Sequence, residues 1–391
     1  MDHLNQLLKK SMKNNLIEII NPGVLSTIQD LGRFGYQKYG VPVSGAMDQF
    51  AYRVGNILVN NDQNSPSIET TVFGLKLKFL KDTVFSLTGA NLSPTINQKP
   101  VPMWQSIIAN QNDTLELQSP FDGCRSYISF EGGISVPETL GSKSTYINSN
   151  FAGLNGRSLI TGDILTNHKT FEPSKYVQRR LPPKILPPTY GHDHQIRVIL
   201  GPQQRSFTAQ GIETFQNSEY IVSDQSNRIG YRLEGKNIEH FGSPDILSDG
   251  TMMGSIQIPG NGNPIILMSD RGVTGGYPKI ATIISSDISK IAQALPGDKI
   301  KFLVISNREA ESILIETENL IQNIYENSSN SLNERLNILI NDISFEVIDE
   351  ENELITTKES FETIDIEMIA ARVKTTHDEH DFNIEIRRHS E

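Results

Sequence analysis

Between residues 16 and 306, apolar side chains recur at every second position in short runs broken by Gly, Pro, Asn and Asp, the period of half-buried strands. In LKLKFLKDTVFSLTGA, Leu75, Leu77 and Phe79 share one face, a turn falls near Lys81-Asp82, and Val84 to Leu87 reads as a return strand. DTLELQSPFDGCRSYISFEGG and HQIRVILGP behave likewise. The clearest hairpin is SIQIPGNGNPIILMS, where Asn261-Gly262 supplies a positive-φ turn between two apolar strands. Helical spacing is confined to a few places. AMDQFAYRVGNILVN sets Phe50, Val54, Ile57 and Leu58 on one helical face, and SSDISKIAQAL starts at a Ser/Asp cap and stops before Pro296-Gly297. The pattern predicts a mainly β chain with two or three short helices, its strand edges hidden in closed or nearly closed barrels.

The segment EPSKYVQRRLPPKILPPTYGHDHQ carries Pro173, Pro182, Pro183, Pro187 and Pro188 without a consistent period, and reads as a semi-rigid linker with a boundary near residue 187. The flanking halves echo each other. Arg33-Phe34-Gly35-Tyr36 through Gly40 and Arg228-Ile229-Gly230-Tyr231 through Gly235 share R-x-G-Y-x-x-x-G, and Gly162-Asp163 and Gly297-Asp298 each turn into a closing strand. The same order in both halves favours a duplicated barrel. The expected organisation is a tail at 1–15, a first barrel at 16–187, a second at 188–306 and an acidic extension at 307–391. In that extension EAESILIETENLIQNIYEN is helical in period and NDISFEVIDEENELI strand-like.

Charge sharpens this division. Of the net −11 over 391 residues, Arg308 to Glu391 holds 21 acidic and 7 basic residues, leaving 25 acidic against 28 basic in the body. A near-neutral body without a basic stripe argues against a nucleic-acid ligand. No run approaches the roughly 20 apolar residues that span a bilayer, and Met1 to Asn15 lacks the apolar core of a secretory signal; a soluble, cytoplasmic protein with no membrane partner is expected. Cys124, the one cysteine, excludes an internal disulfide and reads as a strand residue.

Several motifs fail on inspection. GGISVPETLGSKST resembles a phosphate loop, but Ser142 separates Gly141 from Lys143; a turn lending amides to an anion stays open. His192 and His194 alternate along an extended segment and lack further metal ligands, so a solvated loop is expected. His377 and His380 lie in an exposed-looking tail, and no G-x-S-x-G elbow occurs. What remains is a concentration of polar residues in the second half. SDQSNRIGYRLEG offers Ser226, Asn227, Arg228, Tyr231 and Arg232; MSDRGVTGGYPK offers Asp270, Arg271, Thr274, Gly275, Gly276, Tyr277 and Lys279. Arginine forks hold carboxylate or phosphate at two points and lysine adds a movable charge, so two cationic, glycine-rich turns suit an anionic ligand.

NPGVLSTIQDLGRFGYQKYGVPVSGAMD, SYISFEGGISVPETLGSKST, GLNGRSLITGDIL, QSNRIGYRLEG and MSDRGVTGGYPKIATIISSDISKIAQALPGDKIKF together resemble the biotin-dependent carboxyltransferase, or allophanate-hydrolase-subunit-2, family. Its members include the C subunit of bacterial ATP-dependent 5-oxoprolinase. The resemblance runs from about Ile17 to Phe302 and omits the acidic region after Ser306. It implies two tandem cyclophilin-like β-barrels, partner subunits B and A, ATP with Mg in the assembled complex, and opening of 5-oxo-L-proline to L-glutamate. On that chemistry Arg228 or Arg232 would clamp the substrate carboxylate, Lys279 the phosphoryl group, and the amides of Gly275 and Gly276 the oxyanion, with Asn227, Tyr231, Asp270 and Tyr277 around them. The family also includes carboxyl transfer from biotin to urea-like amides. No Met-Lys-Met attachment sequence occurs, so biotin would be carried by a partner. A non-catalytic regulator, like the family's kinase-inhibitor antagonist, is the third expectation.

Overall fold

The computed structural model describes residues 14–172 and 178–328, together with the backbone of four strands between 336 and 387. The chain divides into two compact units, 1–328 and 329–391. Strands of the first half are β1 (Asn15–Pro22), β2 (Leu25–Gln29), β3 (Ser67–Thr71), β4 (Leu75–Phe79), β5 (Thr83–Asn91), β6 (Thr95–Ile96), β7 (Lys99–Pro100), β8 (Ser106–Ala109), β9 (Thr114–Glu116), β10 (Asp122–Phe130) and β11 (Ile164–Thr166). They form two sheets, β11-β1-β4-β9-β6-β7 and β2-β3-β10-β5-β8. Leu77 and Phe79 of the first meet Phe85, Leu87 and Ile128 of the second in one core, as their alternation dictates. The hydrogen-bonded ladder of this half does not close, in contrast to the expected first barrel. The β4–β5 segment, read as a hairpin, instead crosses between the sheets: β4 pairs with β1 and β9, β5 with β10 and β8.

The second half closes. β12 (Asp193–Leu200), β13 (Glu219–Val222), β14 (Gly230–Glu234), β16 (Ser255–Gln257), β17 (Ile265–Leu267), β19 (Lys279–Ile283) and β20 (Lys299–Val304) run round a barrel in the order β12-β19-β16-β17-β14-β13-β20, closed by the parallel pair β12–β20. The Asn261-Gly262 hairpin joins β16 to β17 with Gly262 at φ 77°. A small ribbon, β15 (Asp249–Gly250) with β18 (Thr274–Gly275), stands apart from the barrel wall. Gly162 and Gly297, at φ 88° and 94°, both turn the chain into closing strands β11 and β20, as the repeat predicts. The R-x-G-Y echo does not adopt one structure twice: Gly35 has φ 90° in a loop, whereas Gly230 begins β14.

Four α-helices occur among the described residues of the body. α1 (Gln49–Leu58) is capped by Asp48, whose carboxylate accepts from the Ala51 amide, and α2 (Ala209–Asn217) by Thr208. α3 (Ile288–Gln293) follows Asp287, which makes no cap hydrogen bond and instead takes Arg197. α4 (Asn307–Asn327) opens on a Ser306/Glu309 capping box and packs on α1. Ile321 and Ile324 are buried beside Val54, Leu58 and Trp104, and Arg53 holds Glu318 at 2.6 Å. The helical part of the expected extension thus belongs to the body; the strand-like NDISFEVIDEENELI contributes β22 (Ile343–Val347) to the second unit, paired with β21 (Leu336–Ile340). His377 and His380 bound the paired strands β23 (Ala370–His377) and β24 (His380–Arg387). No helix among the described residues is long and apolar enough to cross a membrane.

The two halves are welded rather than strung on a linker. Met47 of the first half is fully buried in the core of the second, the Ser44 amide donates to Ser269 O at 3.1 Å, and Leu181 packs beside Trp104. His194 is buried, and both imidazoles of the expected solvated loop hydrogen-bond Asp298, His192 at 2.7 Å and His194 at 3.1 Å.

Candidate functional site

Two groups of side chains emerge, one inside the seam and one at the end of β19. Within the seam, Arg228 is 4 % exposed; its Nε and Nη2 hold Asp270 at 2.9 and 3.1 Å, Nη1 donates to Glu69 of β3, and Nη2 also reaches Gly45 O at 2.8 Å. Burial disfavours its charge, but Asp270 and Glu69 more than reverse that and raise its pKa. Glu69 accepts further bonds from Tyr127 Oη and the Met47 amide, both at 2.8 Å. Arg125 on β10 donates to Tyr231 Oη and Ala292 O, each at 2.5 Å. Burial pushes the Tyr231 pKa up to about 12, with Arg125 pulling the other way. Gln293 completes the network, accepting from the Cys124 and Arg125 amides and donating to Asp48 at 2.8 Å.

This geometry corrects the expected role of Arg228. Its fork is filled by two carboxylates of its own chain and turned away from solvent, so it joins the halves instead of clamping a ligand. Asp270 and Tyr231 belong to the same network. Asn227 and Arg232 lie on the exposed turn before and within β14: Asn227 Oδ1 accepts the Ile229 amide at 2.8 Å, and the Arg232 side chain has no hydrogen bond or ion pair among the described residues.

Lys279 begins β19 and is 4 % exposed, yet its ammonium meets Asp249 of the β15–β18 ribbon at 2.7 Å, and Asp249 is half exposed. Hydrogen bonds from Lys279 and Gln203 hold the Asp249 carboxyl below its ordinary range. Gln203 Oε1 also accepts the Lys279 amide at 3.2 Å. Gly275 and Gly276 are not in the left-handed region. A Cβ on Gly275 would lie 2.3 Å from Gln257 Nε2, so this glycine makes room for an internal side chain, which in turn donates to Tyr277 O at 3.3 Å. Tyr277 is 38 % exposed beside them. The start of this loop meets the Arg228 turn, the Asp270 amide donating to Arg228 O at 2.9 Å, whereas Lys279 at its end lies on β19, with β16 and β17 between it and β14. Lys279, Gly275, Gly276 and Tyr277 are brought together; Asn227 and Arg232 are elsewhere on the barrel.

Asp249, Gln203 and Gln257 escaped the sequence reading because each is a common polar residue far along the chain from Lys279. The loop resembling a phosphate loop proves to wrap an internal carboxylate: Ser142 Oγ at 2.8 Å, the Lys143 amide at 2.5 Å and Ser144 Oγ all donate to Asp30. Cys124 is buried, and burial pushes its thiol up, which leaves it a poor nucleophile. Among the described residues no three His, Cys, Asp or Glu side chains cluster as a metal site. Clefts of about 140 and 370 Å³ lie at Asn60–Lys169–Arg179 and at Tyr190–Arg197–Lys290; neither includes Lys279 or Arg228.

Residues 39–304 match the family described as carboxyltransferase domain, subdomain A and B. The chain is 37 % identical over 295 residues to the C subunit of 5-oxoprolinase from Escherichia coli (strain K12), covering 75 % of this chain and 93 % of that protein. It is 34 % identical over 304 residues to the C subunit of 5-oxoprolinase from Haemophilus influenzae, covering 78 % and 96 %. The crystal structure of the Kluyveromyces lactis urea amidolyase superposes with a TM-score of 0.74 at 29 % identity, over 90 % of this chain and 22 % of that one. The chain belongs to the carboxyltransferase-domain family whose members include components of 5-oxoprolinase and segments of urea amidolyase.

Proposed function

We propose that this chain is the C subunit of an ATP-dependent 5-oxoprolinase, acting with subunits B and A to open 5-oxo-L-proline to L-glutamate. The observation that carries the reading is coverage: its alignments take in 93 % and 96 % of two proteins named as the C subunit of 5-oxoprolinase, against 22 % of the urea amidolyase. A lactam is a poor electrophile, and phosphorylation of its carbonyl oxygen by ATP activates it, so the site must stabilise an imidate-like oxyanion. Lys279 suits that task. Its ammonium is desolvated on the barrel side but neutralised by Asp249, whose carboxylate reaches solvent, so an incoming anion exchanges with Asp249 without any new charge being buried.

ATP does not fit the one loop of this chain that resembles a phosphate loop, because Asp30 already occupies its amides and hydroxyls. On this reading that loop is not where the nucleotide binds. A three-subunit assay of glutamate release, each subunit omitted in turn, tests the reading: it requires that omission of this chain abolish ATP-dependent release.

The fold match to urea amidolyase supports a second reading, carboxyl transfer to a small amide with biotin on a partner. A biotin blot of co-purified partners separates the two, since a biotinylated partner would favour carboxyl transfer.

A further inference from the structure

Two arginines at the seam lack the counter-ions that Arg228 and Arg125 enjoy. Arg33 is fully buried, directly after the β2 loop; its Nη2 donates to Ser144 O, and its guanidinium lies 5.1 Å from the Phe151 ring centroid. Its Nε and Nη1 have no hydrogen-bond partner. The nearby carboxylates are committed elsewhere. Asp30 is filled by Gly32 N at 2.7 Å and by the Ser142, Lys143 and Ser144 donors, and Asp270 is forked by Arg228. Burial accordingly lowers the Arg33 pKa despite the fields of Asp30 and Asp270.

Arg271 repeats the situation from the other half. It is 7 % exposed, its Nη1 bonds only Met268 O of its own turn at 3.3 Å, its Nε is unpartnered, and burial lowers its pKa. The backbone makes the segments that carry these residues neighbours. The Arg33 amide donates to Val43 O at 2.8 Å, the adjacent Ser44 amide donates to Ser269 O, and Ser269 stands two residues before Arg271. Ser44 Oγ is buried there and also unpartnered.

A buried guanidinium with open donors and no bonded carboxylate is destabilising unless an anion meets it, whereas the Arg228 guanidinium is bonded to two carboxylates. Every open atom named here, Arg33 Nε and Nη1, Arg271 Nε and Ser44 Oγ, can donate. The arginine atoms can only donate, so a ligand that meets them accepts hydrogen bonds and carries negative charge, while Gln29 Oε1 and Thr145 Oγ1 beside the Ser144 carbonyl are also unpartnered. We propose that Arg33, Ser44 and Arg271 form a binding site for a small oxyanion, a carboxylate or a phosphate, at the seam between the two halves. It stands independently of the reaction proposed above.

The test is thermal melting of the full chain in inorganic phosphate, in acetate, and in chloride at matched ionic strength. Phosphate or acetate should raise Tm by about 2 °C or more over chloride through binding to the folded state. A rise with phosphate alone identifies a phosphate ligand, and a rise with acetate a carboxylate. Arg33→Met should melt no lower than wild type in chloride and lose the rise; Arg271→Gln should lose it too, and Lys279→Ala should keep it. Equal melting in all three salts, an unchanged rise in Arg271→Gln, or a well-folded Arg33→Met that melts lower than wild type in chloride while keeping the rise would overturn the proposal. Should Arg33→Met not fold, Arg271→Gln decides.

Discussion

The guanidinium of Arg228, in the second half, donates to the carboxylate of Glu69, in the first, and both are excluded from water. Breaking one partner of such a pair leaves an uncompensated buried charge. Arg228→Ala and Glu69→Ala are each expected to cost about 3–5 kcal/mol in urea unfolding, and a double-mutant cycle should show strong coupling. Small, additive losses would mean that the pair does not join the halves.

Gly275 and Gln257 compete for one space. An alanine at 275 meets only the far end of a flexible side chain, so Gly275→Ala should cost under about 1 kcal/mol while displacing Gln257 from Tyr277 O. Gly211→Ala, whose Cβ would lie 2.3 Å from the Glu239 carbonyl oxygen, should cost more. Comparative melting of the two variants checks this.

The barrel closure carries a pH signature. The hydrogen bond to Asp298 raises the His192 pKa, so its stabilisation is complete below the unfolded value of about 6.5 and fades as pH rises through the folded one. Burial alone would raise Asp298, but hydrogen bonds from His194, the Leu295 amide and His192 reverse this, so its contribution is present above about pH 4 and lost on acidification. The Tm advantage of wild type over His192→Gln should therefore be present at pH 6 and absent at pH 9; an advantage that grows with pH would contradict the assignment.

Helix α4 belongs to the body and not to the extension. Truncation after Ser328 should leave the melting of the body intact, whereas Ile324→Ala should destabilise it by about 2–5 kcal/mol, because Ile324 is fully buried against α1. Circular dichroism melts of both proteins decide the point.

Periodicity located what depends on neighbours in sequence. The Asn261-Gly262 hairpin, α1 with its buried Val54 and Leu58, and the Gly-Asp turns into β11 and β20 all follow from local spacing and backbone preference. Partnership across the fold was not legible. The turn at Lys81-Asp82 looks the same whether β5 returns along β4 or crosses to another sheet, and only the ladders decide it, β4 pairing with β1 and β9 and β5 with β10 and β8. Arg228 carried the same signal as a ligand-binding arginine, because its two carboxylates, Glu69 and Asp270, lie 159 and 42 residues away. Lys279 stayed in the candidate site, but its partner Asp249 comes from a ribbon with no periodic signature.

The central claim is that this chain supplies Lys279 to an ATP-dependent lactam-opening reaction. Glutamate release from 5-oxo-L-proline, measured with all three subunits and Lys279→Ala in place of wild type, tests it most directly. Loss of an oxyanion-stabilising donor should lower kcat by about 10²–10³-fold with the fold retained. Release at the wild-type rate from the folded variant would contradict the account.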